Sequence, residues 1–201
     1  MKICLLDNTD FAYSYEDKYS EKLRGAETVL INLYQELTKI GHEVYVFNNC
    51  SNKIHNNKSK WYNLNSLKSQ REIFFDVAFA NADINLFDKI SSYKKFVISY
   101  SLQSLEKFIR KKQFFTYFKH KPKVLVLGDY HKNKRSWITS IFGVGILELA
   151  VDEIFINTKL TNKIDKNLAI FTSRPDRNLG VLIDIWNNYI HKSSNDFKLL
   201  V

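Results

Sequence analysis

Cysteine, proline, glycine and methionine are all scarce in this chain of 201 residues: two Cys, two Pro, six Gly and one Met. Cys4 and Cys50 stand far apart with no His or Cys at ligand spacing, which argues against a disulfide framework or a zinc site and for reduced cytosolic thiols. So little proline and glycine leaves no room for a flexible low-complexity linker. The dinucleotide fingerprint GxGxxG and the Walker A loop are both missing, so NAD-type and P-loop chemistry fall away. There is no Asp-x-Asp pair to hold a divalent metal, and no repeat of solenoid period. The most membrane-like run, Ser136–Val151, is interrupted by Glu148 and too short to span ~30 Å of hydrocarbon. The N-terminus turns polar after six residues, unlike a signal peptide.

What is present is a core-forming composition. Apolar residues make up 45% and aromatics 14%, enough to bury a hydrophobic core and to argue against disorder. The length suits one full domain and a fragment of another. Thirty Lys and Arg against 21 Asp and Glu give a net charge of +9, which favours anionic partners: nucleic acid, acidic lipid or phosphorylated small molecules.

Short apolar runs alternate with helical patterns. Ile3–Leu6 reads as a first strand. Val29, Leu30, Leu33, Tyr34 and Leu37 recur at the spacing of one buried helix face, Gly41 stops that helix, and Val44–Phe47 supplies the next strand. Strand, helix, strand in that order predicts a βαβ unit and a parallel sheet. Further strands are expected at Val77–Ala80, Phe96–Tyr100, Val124–Leu127 and Ile154–Ile156, with a long helix from about Leu102. The lysine-rich stretches 51–71 and 128–136 read as surface loops. From residue 166 a second unit opens: strand Leu168–Phe171, a polar loop, an amphipathic helix, and strand Phe197–Val201. A strand of that kind is normally paired on both sides, so the chain is expected to be incomplete. The expected fold is α/β, a Rossmann-like parallel sheet with flanking helices over 1–165, then the first β-α-β of a second such domain over 166–201.

Two loops carry candidate chemistry. The connection from Asp7 to Arg24 is long for an α/β unit, where about 2–6 residues is usual, and loops at the carboxyl end of parallel strands bind ligands. Asp10, Tyr13, Tyr15, Asp17 and Tyr19 suit a grip on a hydroxylated molecule, and a simple insertion is the alternative. The loop closes with Arg24-Gly25-Ala26-Glu27, where Gly25 and Ala26 leave backbone N–H groups open to a phosphate, Arg24 adds charge and Glu27 complements the helix dipole. A plain helix start is again the alternative. The second loop, Ser173-Arg174-Pro175-Asp176-Arg177-Asn178, lies between strand and helix. Two guanidiniums three residues apart can reach one diphosphate; a solvated turn with a local Arg–Asp pair is the other reading.

A first-strand loop ending in Gly-Ala-Glu, a Rossmann-like domain, then strand, Arg loop and helix: this arrangement resembles the GT-B glycosyltransferases of the GT4 group (glycosyltransferase group 1). SRPDRN and the following LIDIW resemble GT4-like proteins of bacterial cell-surface polysaccharide pathways. The resemblance implies a hexosyltransferase type of activity: transfer of a sugar from a nucleotide-diphosphate donor to a cell-envelope saccharide or lipid-linked acceptor. The acceptor would belong to the amino-terminal domain and the donor to the second. It implies donor contacts from Gly25, Ala26 and Glu27 with Arg24 beside them, and from Ser173, Arg174 and Arg177. It implies no metal and no cofactor. The sequence departs from the family where Arg24 replaces a second Gly, where Asn178 follows Arg177 in place of Lys-Gly, and in having no Glu-x7-Glu pair. None of His42, His55, His120, His131 or His191 reads as catalytic, no general base is assigned, and little turnover is expected of this chain alone.

Lys107–Lys123 interleaves aromatics with basic residues. Leu102, Leu105, Phe108, Ile109 and Phe115 can share one helical face beside Arg110, Lys111 and Lys112. The pattern suits a packed helix with a solvated rim, an acidic membrane surface, or single-stranded nucleic acid, and nucleic acid ranks last because no binding motif accompanies the charge. The expectation is a cytoplasmic protein with peripheral contact at the inner membrane face. The alternative class is a non-enzymatic Rossmann-like module that binds an anionic ligand or a membrane surface.

Overall fold

The computed structural model describes residues 1–20, 23–50, 53–54, 60–70, 73–102, 104–151, 156–157, 165–173, 175–194 and 196–201, with the backbone alone at 53–54 and 68–70. These form two compact units, Met1–Ala150 and Val151–Val201.

The first unit is built on an eight-stranded sheet. Its strands are β1 Lys2–Leu6, β2 Glu43–Asn48, β3 Lys53–Ile54, β4 Lys60–Asn63, β5 Phe74–Asn81, β6 Ser91–Ser99, β7 Lys123–Val126 and β8 Val144–Ile146. They lie in the order β3-β4-β2-β1-β5-β6-β7-β8, and every pairing except that of β3 with β4 is parallel. Numbered by appearance, the seven parallel strands run 3-2-1-4-5-6-7, the Rossmann-like order with one strand added. The order reverses between β1 and β5.

Period-two alternation explains the central strands. Ile3 and Leu5, with Val44 and Val46, face a cluster completed by Leu30, Ile31, Tyr34 and Trp61. Cys4 and Leu6, with Tyr45 and Phe47, face the other cluster, which includes Phe75, Phe87, Phe108 and Tyr117. Both faces are therefore buried, and the strands read as unbroken apolar runs. Each fully buried large side chain adds roughly 1.5–3 kcal/mol of burial free energy. Cys4 and Cys50 are both buried and unbridged.

Helix α1, Gly25–Lys39, covers the first cluster through Glu27, Leu30, Ile31 and Tyr34. Leu33 and Leu37 are only partly buried, so the stripe is turned toward Ile31 relative to the sequence expectation. The helix ends in a Schellman arrangement: Gly41, at φ 92°, donates to Thr38 O at 3.0 Å, and His42 N–H donates to Leu37 O at 3.0 Å. Only glycine adopts that left-handed position without strain.

Four expectations need correction. The long helix from Leu102 is two short ones, α2 Leu105–Arg110 and α3 Phe114–His120, broken where Lys112 takes a left-handed φ of 54°. Phe108 is buried, but Phe115 is 85% exposed, so the supposed common face does not exist. The stretch 51–71 is not all loop: β4 pairs with β2 and buries Trp61 completely, and a 3₁₀ segment Leu64–Gln70 follows. The stretch 128–136 contains helix α4, Asp129–Asn133. Of the strand expected at Ile154–Ile156, Ile154 and Phe155 lie outside the described residues and Ile156 has helical backbone.

The second unit pairs β9, Leu168–Ile170, in parallel with β10, Lys198–Leu200. Helix Leu179–Ile185 lies between them in sequence and runs through a π-helical turn, Trp186–Ile190, into His191–Ser193. This is the expected β-α-β. None of its described residues is buried.

The loop after β1 is tied down at Tyr13 and Tyr15 by Trp61. Its indole N–H donates to Asn48 Oδ1 at 2.8 Å, and Asn48 Nδ2 donates to the Tyr13 carbonyl at 2.8 Å. Tyr13, Tyr15 and Tyr34 pack around the same indole, with Tyr34 edge-on at 4.9 Å between ring centroids. Trp61→Phe keeps an aromatic ring but leaves a buried Asn48 acceptor unpaired, and is expected to destabilise the protein by about 1–3 kcal/mol in urea denaturation. A change within about 0.5 kcal/mol, typical of a surface substitution, would show that the loop is held by something else.

Candidate functional site

In a doubly wound sheet, ligands bind at the carboxyl ends of the strands, where the order reverses. Here that point lies between the ends of β1 and β5. The Asp7 N–H extends the ladder by donating to Phe47 O at 3.0 Å, which sets its carboxylate on the sheet edge. That carboxylate is 2% exposed. It accepts from the Tyr13 hydroxyl at 2.6 Å and from Asn81 Nδ2, at the end of β5, at 3.2 Å.

Burial raises the Asp7 carboxyl above the ordinary carboxylate range; hydrogen bonds from Tyr13, Thr9 and Asn81 oppose the shift and the nearby Glu27 charge adds to it. The Tyr13 phenol is pushed far up by burial and then by Asp7, so it stays a proton donor. Tyr100, just beyond β6, is raised by burial and by the charges of Asp7 and Glu27, and its hydroxyl donates to the Ala26 carbonyl at 3.4 Å.

Glu27 completes the group. It stands at the third helical position of α1 and is 3% exposed, its side chain turned inward with the buried stripe. Oε1 accepts from Thr9 Oγ1 at 2.9 Å, while Oε2 is buried with no hydrogen-bond partner among the described residues. A buried acceptor left open costs roughly 1–3 kcal/mol unless a ligand fills it. Two carboxylates, a threonine, an asparagine and two tyrosines thus converge on the switch point.

The other residues singled out in the sequence are arranged differently. Arg24 precedes α1 without a side-chain cap; its guanidinium lies 3.6 Å from Asp10 and 5.0 Å from the Phe11 ring centroid, and it is largely exposed. A Cβ at Gly25 would meet nothing within 4 Å, so the first turn of α1 is open there. Ala26 contributes its carbonyl to Tyr100. In the loop, Tyr13 and Tyr15 pack inward, Asp17 closes a capping box with Ser14, and Tyr19 is exposed. In the second unit Ser173 and Arg177 are exposed ahead of the helix, and Asn178 enters it with φ 62°. Arg174 lies outside the described residues.

Sequence reasoning did not single out Asn81, Tyr100 or Gln113. Each is an ordinary polar residue at a strand or helix end, and only strand order brings it to the site. Beyond Tyr100 the edge turns basic. A cavity of about 50 Å³ is lined by Ser99, Tyr100, Ser101, Lys107, Lys111 and Gln113 among others. A recess of about 280 Å³ shares Ala82, Lys111 and Gln113 with it and reaches Asn8 and Asp83. Ala82 turns the chain there with a left-handed φ of 58°, a strained conformation for a residue with a Cβ.

Among the described residues no cluster of His, Cys, Asp or Glu could hold a metal, and no helix is long and apolar enough to cross a membrane. Set against protein-family models, curated proteins and solved structures, the chain finds no match.

The raised Asp7 pKa has a measurable sign. The folded state holds this proton more tightly than the unfolded chain, so the group's contribution is full below about pH 4 and is lost as pH rises through the folded value. Asp7→Asn cannot ionise and keeps an acceptor for Tyr13. Its stability relative to wild type should therefore rise from about pH 4 toward neutrality in urea denaturation. A difference that is flat with pH would show that Asp7 is not held in a proton-retaining environment.

Proposed function

We propose that this chain is a GT-B, GT4-like glycosyltransferase-type protein whose first unit binds a saccharide at the reversal of strand order. The reaction would move a sugar from a nucleotide-diphosphate donor to a cell-envelope saccharide or lipid-linked acceptor in the cytoplasm, at the inner membrane face where the acceptor is lipid-linked. One observation supports this above the rest: the Glu27 carboxylate, buried beside Asp7 with Oε2 unpartnered. Carboxylates accept hydrogen bonds and donate none, so the complementary ligand brings hydroxyl donors, as a sugar does. A bare anion would be repelled at this half of the edge. Gly25 leaves the approach to α1 open, and Tyr100 and Thr9 add a phenol and an alcohol beside the carboxylates. In this reading Ser173, Arg174 and Arg177 serve the donor diphosphate in the second unit, with forked guanidinium donors suited to phosphate oxygens.

A second reading, a non-enzymatic module that binds an anionic ligand or membrane surface, draws on Arg110, Lys111 and Lys112 beside exposed Ile109 and Phe115. It predicts binding without turnover.

The test is saccharide binding by nuclear magnetic resonance titration, run with transfer assays from UDP- and GDP-hexoses. Glu27→Ala should weaken saccharide binding about tenfold or more, the effect of removing a charged hydrogen bond of about 1.5–3 kcal/mol. Glu27→Gln, which keeps the shape, should weaken it less. Wild-type protein that binds no saccharide and transfers no sugar would contradict the proposal.

A further inference from the structure

Lys107 and Lys111 lie one helical turn apart at the end of α2, the spacing that brings side chains together on one face. Like charges so placed repel, and burial, Lys111 and Arg110 in that order hold the Lys107 ammonium below its ordinary pKa. Neither lysine forms an ion pair among the described residues. The nearest carboxylate on the recess, Asp83, is already engaged: it accepts from Gln113 Nε2 at 2.9 Å, from the Asn85 N–H at 3.0 Å and from Asn8 Nδ2. Two cations therefore face a cavity whose neighbouring carboxylate, Asp83, is held by three neutral donors and pairs with neither lysine among the described residues.

Gln113 adds a buried amide beside the two cations. It is 2% exposed and lines both the cavity and the recess. A carboxylate only accepts, so Asp83 orients the amide with Nε2 toward itself. Oε1 is left buried without a partner. The backbone fixes this placement, because Gln113 N–H donates to Phe108 O at 3.0 Å across the left-handed Lys112. Lys107 Nζ donates to Ser101 Oγ at 2.6 Å, and Ser99 Oγ donates to Ser101 O at 3.0 Å, which holds the opposite wall.

We propose that this pocket binds a phosphorylated polyol, its phosphate taken by Lys107 and Lys111 and one of its hydroxyls donated to Gln113 Oε1. Both lysines line the cavity of about 50 Å³, and the recess of about 280 Å³ that Lys111 and Gln113 also line approaches the lower end of small-ligand sites, about 300 Å³. Tyr100 lines the pocket and also feels the charges of Asp7 and Glu27, so one ligand can span the basic and acidic halves of the edge. The polyol half of this ligand rests on the saccharide reading of Glu27; the phosphate half does not.

Calorimetric titration of the full chain with inorganic phosphate, glucose 6-phosphate and methyl glucoside separates the two. Glucose 6-phosphate should bind at least about tenfold more tightly than methyl glucoside, and Lys111→Gln and Lys107→Gln should each remove that advantage. Inorganic phosphate should bind more weakly and fail with the same variants. Lys111 is exposed, so its substitution leaves folding intact. Phosphate binding unchanged in both variants, or no saturable binding of phosphate or hexose phosphate, overturns the site. Phosphate binding without any hexose contribution overturns the polyol half alone. Vesicles containing phosphatidylinositol distinguish the source: binding that both variants lose assigns a lipid headgroup, and hexose phosphate binding without vesicle binding assigns a free phosphorylated sugar.

Discussion

A parallel strand in the middle of a sheet has both faces buried, and β1 meets that demand with Ile3, Cys4, Leu5 and Leu6, all 2% exposed or less. Everything else at the candidate site depends on where that apolar run stops. Asp7 is the next residue, its N–H still in the ladder and its carboxylate at the edge. The neighbouring strand β5 ends at the matching level: Leu6 pairs with Ala80, so Asn81 stands beside Asp7 and donates to it. A sheet cannot place two such polar residues mid-strand without orphaning them, but at its carboxyl edge they meet each other and a ligand.

The edge divides by charge. On one side, Asp7 and Glu27 are buried with hydroxyl and amide donors, and one carboxylate oxygen stays open. On the other, Lys107 and Lys111 share a helical face, and neither forms an ion pair among the described residues. Neither half is what packing alone would select. Burying an unpaired acceptor costs about 1–3 kcal/mol and like charges one turn apart cost a few tenths, so the fold is more stable without either. Unrewarded costs of this kind concentrate where a ligand offsets them. The aromatic group around Trp61 supplies rigidity, since it anchors through Asn48 the loop that carries Thr9 and Tyr13.

Much of the fold was legible in the sequence, for a physical reason. The strands β1, β2 and β7 and the second halves of β5 and β6 are apolar on both faces, and a short unbroken apolar run is their signature. Strand β4 was not legible because Lys60-Trp61-Tyr62-Asn63 looks like loop sequence until β2 is seen to bury the indole. Strand β8, only Val144-Gly145-Ile146, is too short to leave a pattern. The break between α2 and α3 follows from hydrogen bonds across Lys112 rather than from any proline or glycine. At the site, Glu27 is legible as part of the first turn of α1. Its inward direction is not, because Val29, Leu33 and Leu37 draw the apparent stripe away from the side that carries Glu27 and Ile31. Asn81, Tyr100 and Gln113 were out of reach, since strand order assembles them from distant segments and one sequence does not state strand order.

The central claim is that the carboxyl edge between β1 and β5 is where this protein meets its ligand. Amide chemical-shift mapping of the isotope-labelled chain with a hexose phosphate addresses it most directly. The largest shifts are expected at Asn8, Thr9, Glu27, Ala82, Ser101 and Lys111, with the opposite edge at Gly41, Glu43 and Ser91 unmoved. Shifts confined to that opposite edge, or spread evenly over the exposed lysines, would contradict it.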